Sequence, residues 1–158
     1  MTIGIITVSD RAAAGIYEDF GGPALREAAI GYGWRVLVEA IVPDETVQIQ
    51  EAVRSFASQG CALILTTGGT GITERDVTPE AIRGIMRVEV PGFGEVMRMK
   101  SFDQLPNAIL SRGLAAVVDR SLVLALPGKP IGAVECLGHV HGALDHAVKL
   151  ARRSPTSC

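Results

Sequence analysis

Ile3-Gly4-Ile5-Ile6-Thr7-Val8 opens the chain as a short, nearly continuous apolar run. A run without polar alternation predicts a strand covered on both faces. Four later segments read as strands too: Arg35 to Val42, Cys61 to Leu65, Ala115 to Val118 and Leu122 to Leu126. Between them the apolar spacing becomes helical. Gly22-Pro23 opens one helix, with Pro23 at its first position and Leu25, Ala28 and Ala29 on one face. Pro43-Asp44-Glu45 opens another, running to about Ser58. Thr78-Pro79 starts a third, with Thr78 as its N-cap. Gly92 to Ser101, Pro106 to Ser111 and Ile131 to Arg152 are also helical in pattern, the last with a break expected near Gly138. Alternating strands and helices predict a three-layer α/β/α fold with a mostly parallel sheet. In such folds ligands bind beyond the carboxyl ends of the strands. That rule gathers Ser9-Asp10-Arg11, Pro43-Asp44-Glu45 and Gly68 to Asp76 at one edge.

Composition narrows the class. The chain has 158 residues, 47% of them apolar and only 4% aromatic, so its core is aliphatic. This length predicts one domain, over residues 1–152, followed by a flexible tail at 153–158. A formal net charge of −2 lacks the basic excess of a duplex-binding protein, so no nucleic-acid partner is expected. Residues 1–79 hold ten acids and five bases, and residues 80–158 hold seven acids and ten bases. A cleft between the halves would have an acidic side for metal and a basic side for phosphate. Cys61, Cys136 and Cys158 form no CxxC pair, which argues against a disulfide framework and against structural zinc. Cys61 and Cys136 read as small buried hydrophobes. No secretory signal and no span of about 20 apolar residues is seen, so a cytoplasmic location without a membrane partner is expected.

The strongest local signal is Thr66-Thr67-Gly68-Gly69-Thr70-Gly71. Glycines let main-chain N–H groups approach an anion and form a concave nest. The same run also reads as a tight structural turn. No Gly-Lys-Ser/Thr follows, so it is not a P-loop. Asp76 lies just beyond it. A carboxylate beside a phosphate nest makes sense if Mg²⁺ bridges the two, since hard oxygen ligands suit that ion. Asp44 sits where an N-cap belongs, and capping alone would explain it. Arg75, Arg98, Arg112 and Lys129 are available cations, Arg98 reading best as a solvated surface charge. His139, His141 and His146 read as an ordinary helix surface, because H-x-H spacing does not bring two side chains together on a helix.

The ordered set Thr7-Val8-Ser9-Asp10, Pro43-Asp44-Glu45, Thr66 to Gly71 with Asp76-Val77-Thr78-Pro79-Glu80-Ala81, Pro91-Gly92-Phe93-Gly94-Glu95, Leu110-Ser111-Arg112 and Leu126-Pro127-Gly128-Lys129-Pro130 closely resembles the molybdopterin adenylyltransferases of molybdenum-cofactor biosynthesis. The resemblance covers about residues 2 to 150. Its central block is specific for the wider molybdopterin-binding-domain family. Ser9-Asp10-Arg11 with Tyr17-Glu18-Asp19 leans toward the bacterial branch.

The resemblance implies adenylyl transfer from Mg-ATP to the terminal phosphate of molybdopterin, with release of pyrophosphate. By similarity, Asp44 and Asp76 are the essential carboxylates and the Mg²⁺ ligands. Gly68, Gly69, Thr70 and Gly71 cradle phosphate. Ser9, Asp10, Ser111 and Arg112 bind substrate in the cleft. Glu95 and Ser101 read equally as facing the pterin across the cleft or as an ordinary helix surface. Pro127, Gly128 and Lys129 shape the nucleotide side. A homotrimer is implied, with possible hand-off to a molybdenum-insertion protein. Relatives often carry Asn two residues before the last Pro-Gly, where this chain has Ala125; backbone groups and Lys129 are then left to make that contact. Two other readings compete: a non-catalytic molybdopterin-binding or scaffold protein on the same fold, and an enzyme of this fold acting on another nucleotide or pterin.

Overall fold

The computed structural model describes residues 1–152. The expected flexible tail and Cys158 lie outside the described residues. Element order is β1 (Thr2–Val8), α1 (Asp10–Ala13), α2 (Gly21–Gly31), β2 (Arg35–Val42), α3 (Thr46–Ser58), β3 (Leu63–Thr67), α4 (Thr78–Arg83), β4 (Val88–Glu89), α5 (Pro91–Phe102), a 3-10 turn (Pro106–Leu110), β5 (Ala115–Val118), β6 (Ser121–Leu126) and α6 (Pro130–Arg152).

The six strands form one sheet in the order β2-β1-β3-β6-β5-β4. The first four are parallel neighbours, and β5 and β4 join antiparallel. The sheet is therefore mostly parallel, as its apolar runs predict. Alternate residues of each strand feed two cores. Ile3, Ile5, Leu63, Leu65, Leu122 and Leu124 face α2, α5 and α6. Ile6, Val8, Ile64, Val123 and Ala125 face α3 and α4. Three layers result, and β1, β3 and β6 are buried on both faces.

Several local expectations are corrected. Helix α6 runs unbroken through Gly138. A Cβ there would make only an ordinary 3.5 Å contact with the Tyr32 hydroxyl, and a single glycine inside a 23-residue helix that buries one face does not interrupt it. His141, one turn further on, stacks on the Tyr32 ring with centroids 3.9 Å apart. Strand β3 extends to Thr67, because Thr66 and Thr67 stay in register with Ala125 and Leu126 of β6. Pro23 lies two residues inside α2, whose first amides are taken up by Asp19. Thr78 does not cap α4. Its buried hydroxyl donates to the Gly68 carbonyl at 2.9 Å, and Val77 takes the cap position. The short elements α1 and β4 carry too few residues to produce a periodic pattern.

Gly4 shows how tightly α3 packs on the sheet. A Cβ at Gly4 would run into the Phe56 ring, and Phe56 is itself buried. Gly4→Ala is expected to lower stability by about 1–3 kcal/mol through overpacking. Adding Phe56→Leu should return part of that loss, giving a coupled double-mutant cycle in urea denaturation.

Candidate functional site

The carboxyl ends of β1, β2 and β3 deliver the three expected loops to one place. Ser9 leaves β1 by donating its amide to the Val42 carbonyl at 2.9 Å, extending the β1–β2 ladder into the loop. Its hydroxyl accepts from Ala12 N–H at 3.3 Å and caps α1. The Asp44 carboxylate does not cap α3. Glu45 takes the cap position without a side-chain bond, and Asp44 Oδ2 accepts from the Asp10 amide at 2.8 Å. Asp10 Oδ1 in return accepts from the Asp44 amide at 3.0 Å.

The glycine run is built as a nest. Gly68 and Gly69 have φ of 106° and 62°, a region that favours glycine. The carbonyls of Gly68 and Gly69 accept from the Thr78 hydroxyl and amide. Those of Thr70 and Gly71 accept from the Arg112 amide and guanidinium, at 2.8 and 2.7 Å. Four successive carbonyls are thus taken up by the scaffold. Among the described residues, no protein group accepts from the Gly69 or Thr70 amide. Asp44 and Asp76 flank this surface: a Cβ built on Gly69 would lie 3.0 Å from Asp44 Oδ1, and one on Gly71 2.8 Å from Asp76 Oδ2.

Two cavities meet here. The larger, about 580 Å³, is mainly apolar, with Met97, Leu105, Ala108, Leu110 and Pro127 in its walls. The smaller, about 280 Å³, is polar, lined by Thr7, Ser9, Asp19, Asp44 and Gly69 among others. Asp76 and Gly128 line both.

The expected site residues divide accordingly. Thr70, Gly71, Ser101, Ser111, Pro127 and Lys129 line the larger cavity, and Ser9, Asp44, Gly68 and Gly69 the smaller. Glu95 is exposed on α5, whose cavity-facing residues are Gly94, Met97, Arg98 and Ser101 at helical spacing. Asp10 lines neither cavity, because both its oxygens are held by Arg75 and the Asp44 amide. Arg112 binds the Gly71 and Asp76 carbonyls and Glu80, and so staples the nest loop. Arg98 is not a solvated charge. It is half-buried and donates to the Gly113 and Ser111 carbonyls at 2.9 and 3.3 Å.

Sequence reading missed the polar floor of the smaller cavity. Asp19 Oδ1 accepts from the Gly21 and Gly22 amides, and Oδ2 from the Thr7 hydroxyl at 2.8 Å. Asp two residues before Gly21-Gly22-Pro23 is a helix-start signal that would have found it.

Electrostatics separate the carboxylates. Burial pushes the Asp44 carboxyl up, aided by the negative charges of Asp10 and Asp76 and opposed by the Asp10 amide. Burial alone would raise Asp76 too, but the hydroxyl and amide of Thr73 and the Gly71 amide hold it below its usual value. The side-chain bond from Arg75, then the Asp44 amide, lower Asp10. Among the described residues, no three His, Cys, Asp or Glu side chains form a self-sufficient metal cage. Asp44 and Asp76 offer oxygen only, the donor type a hard cation takes, and a phosphate on the nest would supply further oxygens.

Residues 4–146 match the sequence family described as a probable molybdopterin binding domain. The chain belongs to that family. A molybdopterin adenylyltransferase of Helicobacter pylori is 43% identical over 151 residues, covering 94% of this chain and 86% of its own length. The enzyme of the same name from Escherichia coli is 40% identical, covering 94% and 77%. The crystal structure of the molybdopterin biosynthesis enzyme MoaB from Thermus thermophilus superposes with a TM-score of 0.90 at 43% identity, covering 99% of each chain. The family, the α/β/α fold and the mostly parallel sheet all agree with the sequence analysis.

The raised Asp44 carboxyl sets a pH dependence in the ligand-free protein. The folded state holds the Asp44 proton more tightly than the unfolded state. Its ionisation therefore costs stability as pH rises above the ordinary value of 3.8. Asp44→Asn keeps an acceptor for the Asp10 amide. It is expected to raise the urea midpoint at pH 7, and the gain should vanish as pH falls below 3.8.

Proposed function

We propose that this chain is a molybdopterin adenylyltransferase, which transfers the adenylyl group of ATP to the terminal phosphate of molybdopterin and releases pyrophosphate. The observation that carries the reading is the pair of unlike cavities sharing Asp76 and Gly128 at an amide-lined nest. An apolar chamber of about 580 Å³ suits a flat ring system carrying a phosphate. The polar chamber with Asp44 and Ser9 suits the phosphates of a nucleotide. Two phosphates brought to one nest from opposite sides are placed for transfer. The 40–44% identity to adenylyltransferases over most of the chain supports the same chemistry.

Nucleotidyl transfer asks the protein for position and charge neutralisation more than for covalent work. The Gly69 and Thr70 amides bind phosphate oxygens. Ser9 and Ser111 donate hydroxyl hydrogen bonds from the two sides. Lys129, exposed at the mouth of the larger cavity, adds a positive charge beside phosphate. Apolar walls keep water from competing with molybdopterin phosphate as the acceptor. Asp44 and Asp76 are the residues that would hold Mg²⁺. The ion, when bound, neutralises phosphate charge and favours departure of pyrophosphate. Ala125 is fully buried in the α3–α4 core, so nucleotide contacts near the last loop fall to Gly128 and Pro130, which line the smaller cavity, while the expected nucleotide-side residues Pro127 and Lys129 line the larger one. With this reading go a cytoplasmic location, a homotrimer and hand-off of the product to a molybdenum-insertion protein. No described helix is long and apolar enough to cross a membrane.

The test is pyrophosphate release from ATP and MgCl₂ with molybdopterin present. Asp44→Asn and Asp76→Asn are each expected to lower kcat by about 10²-fold or more. Full turnover by an Asp76→Asn protein that binds both substrates would refute the carboxylate assignment.

A further inference from the structure

Asp10 ends the first motif and Arg75 directly precedes Asp76, yet neither lines either of the two cavities. Arg75 Nε and Nη2 grip Asp10 Oδ2 and Oδ1 at 3.0 and 2.9 Å in a two-pronged bond. Nη2 also reaches Glu45 Oε1 at 2.9 Å. Asp10 Oδ1 accepts in addition from the Asp44 amide, and the Asp10 amide donates to Asp44 Oδ2. One guanidinium thereby ties together the loops after β1, β2 and β3.

We propose that Asp10 and Arg75 are positioning residues that aim Asp44 and set its spacing from Asp76, and do not themselves bind substrate. This rests on the adenylyltransferase reading above. The geometry gives the reason. The exchange with Asp10 fixes Asp44 at two points, its amide and Oδ2, and leaves Oδ1 turned toward Gly69. Arg75 precedes Asp76 in the chain, so its grip on Asp10 and Glu45 fixes the loop bearing one carboxylate against the loop bearing the other. Without the guanidinium, Asp10, Glu45 and Asp44 would be like charges in adjacent turns, favouring separation of the loops. The pairs are about half exposed, and such pairs add little to global stability. Their value lies in where they hold Asp44, since a misplacement of about 1 Å can cost about 10²-fold in rate.

The arrangement separates two roles of Asp10: partner of Arg75, and acceptor for the Asp44 amide. Asp10→Ala removes both. It should lower kcat by about 10- to 100-fold, while the KM for molybdopterin and the urea midpoint stay near those of the parent. Asp10→Asn keeps the acceptor and loses the charge, and Arg75→Lys keeps the charge and loses the fork; each should fall between. The exchanged pair Asp10→Arg with Arg75→Asp restores an ion pair but offers the Asp44 amide no acceptor, so kcat should remain low. Full rescue by the exchanged pair, or an Asp10→Ala kcat within about threefold of the parent, would overturn the proposal.

Amide hydrogen exchange gives a readout without turnover. The Asp44 amide should exchange faster in Asp10→Ala, or in Arg75→Ala if the first variant fails to fold. Unchanged exchange at Asp44 would overturn the clasp. Absence of pyrophosphate release by the parent protein would sink the adenylyltransferase reading instead, with the exchange experiment still deciding the clasp.

Discussion

At the carboxyl ends of β1 and β3 the main chains come so close that no side chain fits between them. A Cβ on Gly68 would run into the Val8 carbonyl oxygen, and the φ of 106° at Gly68 is itself one that glycine adopts freely. From the other side, a Cβ on Gly128 would lie 3.3 Å from Gly68 Cα. The loops leaving three parallel strands therefore converge on one glycine. Thr78 and Arg112 can then occupy the run's carbonyls from behind, and the nest amides are left toward the cavities. Every later feature of the site presupposes this main-chain contact.

The same convergence concentrates negative charge. Asp10, Glu45, Asp44 and Asp76 come from three loops and share one small region. The guanidinium groups nearby are committed elsewhere: Arg75 to Asp10 and Glu45, Arg112 to the nest loop and Glu80, Arg98 to two carbonyls. A planar fork of donors suits such carboxylate and carbonyl pairs, so these arginines build the site's walls. Charge to balance Asp44 and Asp76 is left to come with the ligands.

Fold and loop placement were legible in the sequence because they rest on periodicity. The short, unalternating apolar runs of β1, β3 and β6 read as strands buried on both faces, and the strand-end rule then put Asp10, Asp44 and the glycine run together. Side-chain partners were less legible. Asp44 has the spacing of an N-cap, but capping and the exchange with Asp10 use the same carboxylate, and the loop after β1, 34 residues earlier, supplies the winning donor. Thr78 has the type and place of a cap, yet a carbonyl of the nest claims its hydroxyl. Gly138 looks like a helix breaker until the buried face of α6, with Leu137, Val140 and Leu144, is seen packed on the sheet. Arg98 looks like a surface charge until the carbonyls after the 3-10 turn are placed beneath it. In each case a residue distant in sequence decided the role, and one-dimensional spacing carries no record of it.

Asp44 is where the demands of folding and of the site diverge. The fold holds it part-buried beside two other carboxylates, which makes its ionised form less favourable than in the unfolded chain. A protein selected only for stability would place a neutral side chain there. The carboxylate becomes favourable once positive charge and phosphate oxygens lie against it. Occupancy and stability are then linked: a ligand that relieves the charge at Asp44 and binds only the folded state stabilises it. Strain in the site is thus kept as electrostatic imbalance at one side chain, while the backbone around it remains fixed by glycine contacts and carbonyl bonds.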